Sequence, residues 1–341
     1  MTFSTTLINW YKQNKRDLPW RKTKNPYNIW LSEIMLQQTR VAQGLPYYLA
    51  FTETFPTVAN LANASEEQVL KLWQGLGYYS RARNLHATAK YITNELNGIF
   101  PKNYNELLKL KGVGEYTAAA IASISYNEDI AVVDGNVFRV LARYFGIALD
   151  ISENKTKKEF QDLANSLLPK GKAALFNQAL MEFGAIQCTP KNPNCNNCVF
   201  NTSCFALQKN KINELPVKLK RTKITNRYFN YAVVCDNRGY FVIEKRTANG
   251  IWKNLFQFPL LETSKSETNL VRLQLIEKYR TKKISVINKK AIIHKLSHQH
   301  LHIHFFEVKL TNTIPNAISL EELKTKPFPI VIFNFINANY F

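Results

Sequence analysis

The chain has 341 residues, 45% of them hydrophobic and 12% aromatic, which is enough apolar material for a large core and, at this length, for two domains rather than one. A formal net charge of +20 points to a polyanionic partner, nucleic acid ahead of an anionic membrane. No run of roughly 20 apolar residues exists and the opening MTFSTTLINWYKQNKR lacks an apolar signal core, so no membrane span or export is expected and the location is read as intracellular, that is cytoplasmic.

From residue 4 to about 185 apolar residues recur at three- and four-residue spacing, broken at Pro19, Pro26, Pro56, Gly75, Gly77, Pro101, Gly112 and Gly114; this predicts an all-helical half. Glu33 sits in the mostly apolar IWLSEIMLQQT. Such a glutamate either faces solvent or, desolvated beside neighbours such as Trp30, keeps a proton at neutral pH, as a general acid needs. NYNELLKLKGVGEYTAAAIASIS reads as two helices joined by Lys111, Gly112, Val113 and Gly114. Glycines let the backbone turn tightly and approach a phosphate, and the amides at the next helix start supply anion donors; the alternative is an ordinary turn between helices. Asp134 precedes Gly-Asn at the start of a helical run. By position it is an N-cap, and it is also a fixed carboxylate able to stabilise a cationic sugar.

Cys188, Cys195, Cys198 and Cys204 stand as C-x6-C-x2-C-x5-C. In a reducing compartment this spacing means metal ligation, either one tetrahedral ion such as zinc or a cubane iron–sulfur cluster. The basic stretch that follows has little periodicity and is expected to be a linker over 208–226. Beyond it, FNYAVVC, DNRG and YFVIEKR predict a hairpin, one helix is expected over about 267–279, and LHIHFFEV is expected as a strand, making 227–341 a smaller α+β domain. This second domain is the more basic of the two. Five of the six histidines fall between 294 and 304, with His298, His300, His302 and His304 alternating along one expected strand face. That face reads as a polar surface near DNA ahead of a metal site, because no carboxylate or cysteine joins it. Cys235, alone in an apolar strand, reads as a small buried hydrophobe.

LPWR, WLSEIMLQQTRV, GLGYYSRARNL, LKGVGEYTAAAIAS, VVDGNVFRVLAR and ALMEFGAIQCTP, followed by the four cysteines, resemble the adenine DNA glycosylase (MutY) family of the helix–hairpin–helix, endonuclease III-like superfamily, along nearly all of residues 7 to 204. The resemblance implies a mainly α glycosylase domain over 1–207, whose cysteines hold one structural [4Fe–4S] cluster in a DNA-contacting loop, with Lys191 a candidate phosphate contact. It implies base excision repair: hydrolysis of the N-glycosidic bond of an adenine mispaired with 8-oxoguanine, or less well with guanine, in double-stranded DNA, after the base is flipped out. Glu33 would protonate adenine N7 and later handle water. Asp134 would stabilise the sugar cation or form a transient adduct with it, and Asn136 and Tyr116 would hold Asp134 and the sugar. Bifunctional relatives place a lysine where Tyr116 stands, so no Schiff-base nucleophile and no strand cleavage are expected.

Trp20, Arg21 and Glu182 match residues lining the adenine pocket. Gln38 and Tyr78 match residues that fill or wedge the base stack, with Thr39 and Leu76 beside the oxidised guanine; from the residues alone Tyr78 would be core and Gln38 a surface polar group. Phe138 departs from several relatives, which carry lysine or another residue there, so a phosphate contact at that position is unsupported. GIWKNLFQFPLLE resembles the start of the MutT-like (Nudix-like) domain that the family uses to recognise 8-oxoguanine. SETNLVRLQLIEKY lacks the clustered carboxylates that hold magnesium, so pyrophosphate hydrolysis is not expected. KLSHQH aligns with a loop that reads Phe-Ser-His in relatives; Leu296 replaces the aromatic, while Ser297 and His298 remain as donors. A monomer is the simplest reading.

Overall fold

The computed structural model describes residues 2–219 and 223–341, so 220–222 of the expected linker lie outside the described residues. The chain divides into two compact units, Met1–Asn63 with Asn84–Lys220, and Ala64–Arg83 with Arg221–Phe341. No helix among the described residues is long and apolar enough to cross a membrane.

The first unit is helical. Its core joins the helices Phe3–Asn14, Gly135–Phe145, Asn154–Leu167 and Ala173–Glu182 through Leu7, Tyr11, Leu141, Phe160, Phe176 and Leu180, all buried; each such side chain contributes about 1.5–3 kcal/mol by leaving water. The helix Pro26–Leu36 begins with Asn25 capping the Tyr27 amide and Pro26 in the first turn, where a missing N–H loses nothing. It is apolar on nearly every side and is buried from Ile29 to Met35. It packs against the helix Glu115–Tyr126, whose run of small residues, Ala118–Ala120 and Ala122, is also buried.

In the second unit the strands are β1 (Thr225–Cys235), β2 (Glu244–Lys245), β3 (Phe256–Gln257), β4 (Leu260–Thr263), β5 (Ile284–Val286), β6 (Ile292–Lys295) and β7 (Gln299–Lys309). The main sheet runs β4-β1-β7-β5, with β6 also paired to β7. The β1–β7 pair is parallel and the others antiparallel, so the sheet is mixed. Successive side chains alternate between faces. Ala232, Val234, Phe306 and Val308 meet Val271 and Leu275 of the helix Thr268–Tyr279 on one face. On the other, Tyr231 stacks on Phe305, and Phe335 of the helix Ile330–Tyr340 lies over Phe305 at 3.7 Å.

The hairpin expected from FNYAVVC and YFVIEKR forms only at its root. Phe241 bridges back to Cys235, whereas Glu244–Lys245 pair with Phe256–Gln257. The reason is competition for an edge. With β7 along one side of β1, β4 occupies the other over Tyr228–Tyr231, and the returning chain finds only the end of the strand free.

Candidate active site

Because the helix Pro26–Leu36 is buried on nearly all sides, its one carboxylate leaves water with it. Glu33 is 7% exposed. Burial pushes its carboxyl up to about 7 against a hydrogen bond from Tyr116, with Asp134 adding to the rise and Arg21 opposing it. Tyr116 lies in the first turn of the helix Glu115–Tyr126, directly after the glycine hairpin. Its hydroxyl donates to Glu33 Oε2 and lies 3.6 Å from Met181 Sδ. Burial, reinforced by the two carboxyls, holds the phenol well above its ordinary pKa, so it stays a neutral donor.

Asp134 caps the helix Gly135–Phe145. Its Oδ1 accepts from the amides of Asn136 and Val137, each at 2.8 Å, and its Oδ2 accepts from Asn136 Nδ2 at 2.7 Å. Burial raises its pKa against the hydrogen bonds from Val137 and Asn136 and the charge of Arg139; the helix N-terminus favours the anion. One turn along, Arg139 Nη2 donates to Asn136 Oδ1 at 2.9 Å and to the Gly184 carbonyl at 2.6 Å, while its Nε donates to the Cys188 carbonyl at 2.7 Å. The backbone of Gly184 runs so close that an added Cβ would fall 2.6 Å from Asn136 Cβ.

Glu182 is 1% exposed. Arg21 reaches both of its oxygens with Nη1 and Nη2, at 2.8 and 2.6 Å, and Arg16 does so with Nε and Nη2, at 2.9 and 2.6 Å. Burial alone would raise this carboxyl, but the hydrogen bonds from Arg21 and Arg16 hold it down at about 2. Trp20 is buried and meets Tyr48 edge-on at 5.1 Å. Glu33, Tyr116, Asp134, Asn136, Trp20, Arg21, Thr39 and Glu182 all line one cavity of about 160 Å³, a volume on the scale of a small aromatic ring system. The amide of Thr39 bonds to the Leu36 carbonyl, and Gln38, beside it, is exposed with φ 53°.

In the hairpin, Gly112 has φ 78°, and a Cβ there would lie 2.8 Å from Asn84 Cβ, so glycine is required twice over. Val113 is buried and pins the turn, while Lys111, Gly112 and Gly114 are exposed. The Lys111 carbonyl accepts from the Thr88 hydroxyl at 2.7 Å.

The four cysteines surround a single cavity with Arg143. The Phe200 amide donates to Cys198 Sγ and Arg143 Nη1 to Cys188 Sγ, both at 3.4 Å. Burial pushes the Cys198 thiol up to about 11 against the Phe200 hydrogen bond, with Cys188, Cys204 and Cys195 adding to the rise. Among the described residues no three of His, Cys, Asp or Glu are gathered as ligands for one ion. Four thiols round one cavity, with N–H donors on Cys188 and Cys198, form a donor set that suits metal or metal-cluster ligation.

In the second unit Leu76 is buried, whereas Tyr78 is 46% exposed with φ 47°. Ser297 and His298 are exposed in the turn between β6 and β7, with Ser297 Oγ 3.2 Å from His298 Nδ1. The expected histidine face is not uniform. His298 precedes the strand; His302 stacks on Tyr228 and bonds to Asn226, and His304 is buried with Nδ1 3.0 Å from the Asn288 carbonyl. Phe138, where relatives differ, packs on Phe160.

Sequence reasoning missed Arg16, Arg139 and Met181. Arg139 was within reach, being three residues past Asn136 on one helix face. Arg16 meets Glu182 across 166 positions, and nothing local marks it.

Residues 31–166 match the family described as HhH-GPD superfamily base excision DNA repair protein, and residues 230–338 match the NUDIX domain. An adenine DNA glycosylase of Buchnera aphidicola subsp. Schizaphis graminum (strain Sg) is 39% identical over 306 residues, spanning 88% of this chain and 86% of that protein. Among solved structures, a thermostable thymine-DNA glycosylase aligns with a TM-score of 0.56 and 33% identity over 61% of this chain and 95% of its own. The fold is shared with a trapped endonuclease III–DNA covalent intermediate, at a TM-score of 0.54 and 22% identity over 61% and 94%. Fold and hairpin together define a DNA glycosylase of the helix–hairpin–helix superfamily that carries a C-terminal Nudix domain. Within that superfamily the chain belongs to the adenine DNA glycosylase family, DNA-binding hydrolases of N-glycosyl bonds that act in base excision repair.

Proposed function

We propose that this enzyme removes adenine mispaired with 8-oxoguanine, and less well with guanine, from double-stranded DNA, as a monofunctional glycosylase acting as a monomer in the cytoplasm. The observation that carries the reading is the pairing of Glu33, whose carboxyl is pushed up to about 7, with the capped Asp134 in one ring-sized cavity. Two carboxyls whose surroundings give them different tasks are what N-glycoside hydrolysis requires.

The flipped adenine enters beside Trp20, where Arg21 and Glu182 orient its polar edge. Protonated Glu33 donates to adenine N7. As the N-glycosidic bond breaks, its electron pair leaves with the base, and Asp134 stabilises the cationic sugar, either as an ion or through a transient adduct. Glu33, now a carboxylate, accepts a proton from the water that adds to the sugar carbon. Asn136 fixes Asp134, and Tyr116 fixes Glu33. Each effect falls within ordinary magnitudes, about 10²–10⁴ for a positioned acid and about 10²–10³ for one preorganised electrostatic group. No lysine lines the cavity among the described residues, and a phenol at Tyr116 cannot form a Schiff base, which supports base removal without strand cleavage.

Gln38 and Tyr78 fill the stack, with Thr39 and Leu76 beside the opposite base, and Lys111–Gly114 hold a backbone phosphate. Ser297 and His298 recognise the oxidised guanine. Cys188, Cys195, Cys198 and Cys204 would hold one [4Fe–4S] cluster, which when bound would cross-link the 188–204 loop. By chain order the domains are assigned as 1–207, a linker over 208–226, and 227–341, with residues 64–83 grouping in the second compact unit.

The test is single-turnover incubation with a labelled duplex carrying one adenine opposite 8-oxoguanine, each sample split between alkali and none. Scission of the adenine strand only after alkali is the expected result; scission without alkali, or none in either half, would overturn the reading.

A further inference from the structure

The turn that carries Tyr78 is left-handed at three of its four residues, with φ 101° at Gly75, 78° at Gly77 and 47° at Tyr78. A tyrosine rarely adopts such a backbone and keeps it only where the surroundings over-determine it. Here they do so from two sides of the compact unit that contains both 64–83 and the C-terminal sheet.

From within the segment, Trp73 Nε1 donates to the Gly77 carbonyl at 3.0 Å. Arg81 Nη2 donates to the carbonyls of Gly77 at 3.0 Å and Leu76 at 3.3 Å. The same guanidinium lies 5.6 Å from the centre of the Tyr78 ring and 5.2 Å from that of Trp73, within reach of a cation–π contact. Arg81 is 9% exposed, and burial lowers its pKa to about 10, so at neutral pH it is a cation held out of water against carbonyls and ring faces. From the C-terminal side, residues 324–328 act as a strap. Lys71 Nζ donates to the carbonyls of Lys324 and Lys326, and the Phe328 amide donates to Gln74 Oε1 at 3.0 Å. The Tyr79 hydroxyl accepts from the Gly75 amide at 3.3 Å and donates to the Phe328 carbonyl at 3.4 Å. Glu67 adds ion pairs to Lys245 and Lys326.

We infer that Arg81 and the 324–328 strap are positioning elements for Tyr78, locking the 75–78 turn so that the exposed ring meets DNA already set for insertion, with the C-terminal domain supplying half of the lock. This rests on the reading of Tyr78 as the residue that wedges the base stack. Arg81 reaches the reaction only through Tyr78, and the strap only through the turn.

The experiment is a double-mutant cycle on the full chain, read by equilibrium affinity for an adenine–8-oxoguanine duplex and by the fluorescence of 2-aminopurine placed beside the mispair. Tyr78→Ala is expected to weaken binding by about tenfold, the low end for one base–aromatic stack, and to quench the unstacking signal. Arg81→Met should produce a similar loss in the wild-type background and none in Tyr78→Ala. Lys71→Met should do the same at smaller amplitude. Arg81→Lys, which keeps the charge but not the planar guanidinium over the Trp73 and Tyr78 rings, should recover part of the loss and serves if Arg81→Met does not fold. Losses from Arg81→Met that persist in full in the Tyr78→Ala background would overturn the positioning role. A Tyr78→Ala protein that binds and unstacks like wild type would instead sink the wedge reading beneath it.

Discussion

Glu33 and Glu182 line the same cavity and are both buried, yet one carboxyl is pushed up to about 7 and the other held at about 2. What separates them is the partner. Glu33 is faced by a phenol that stays neutral and by a second carboxyl, whereas Glu182 is gripped by two guanidiniums. Burial sets the size of the electrostatic penalty, and the partner decides which protonation state escapes it. One wall therefore holds a protonated carboxyl near neutral pH, and the other a fixed carboxylate.

The sharpest way to break this comparison is Glu33→Gln. It should lower the single-turnover rate of adenine release by about 10²–10⁴-fold while leaving the denaturation midpoint unchanged or raised, since it removes a desolvated carboxyl. With Glu33 as the proposed acid, the wild-type rate should hold below pH 7 and fall about tenfold per unit as pH rises through about 7. The same sign applies to stability: with its folded pKa raised, Glu33 contributes stability that is present at low pH and lost as pH rises through about 7.

Glu182→Gln should do the reverse. It leaves Arg21 buried beside a neutral amide, while Arg16, about a third exposed, can turn to water. A loss of about 2–3 kcal/mol is expected in a denaturant titration, with the alkaline limb of the rate profile still in place. Disappearance of that limb in Glu182→Gln would mean that the proton donor has been assigned to the wrong wall.

The smallest effect belongs to Gly184→Ala, whose new Cβ would sit 2.6 Å from Asn136 Cβ and 2.8 Å from its carbonyl oxygen. Backbone must move, at about 1–3 kcal/mol, and Asp134 shifts with Asn136. The rate should fall by less than in Glu33→Gln with its pH profile unaltered. A displaced alkaline limb would show that the two carboxyls are coupled more tightly than their separate anchors suggest.

Much of this site is legible in the chain because its parts are local. Asp134 before Gly-Asn announces a cap, Lys111 to Gly114 between two periodic runs announces a hairpin, and the spacing of Cys188 to Cys204 announces a ligand set. The C-terminal sheet is less legible. A strand's partner is chosen by whichever segment reaches its edge, and β4 displaces the hairpin arm that follows β1 directly. The alternation of His298 to His304 suggested one polar face, but β7 is packed on both sides and draws His304 into the core.

The sequence by itself determined the helical half, the positions of the two carboxylates and four thiols, and the basic character of the whole, because periodicity, capping and charge depend on neighbours a few residues apart. Only the tertiary structure decided that Glu33 loses water while Glu182 gains two arginines, that Arg139 ties Asn136 to Gly184 and the Cys188 carbonyl, and that residues 324–328 brace the Tyr78 turn. Those outcomes depend on groups 45 to more than 250 positions apart being brought within hydrogen-bond distance, where removal of water makes each partner count.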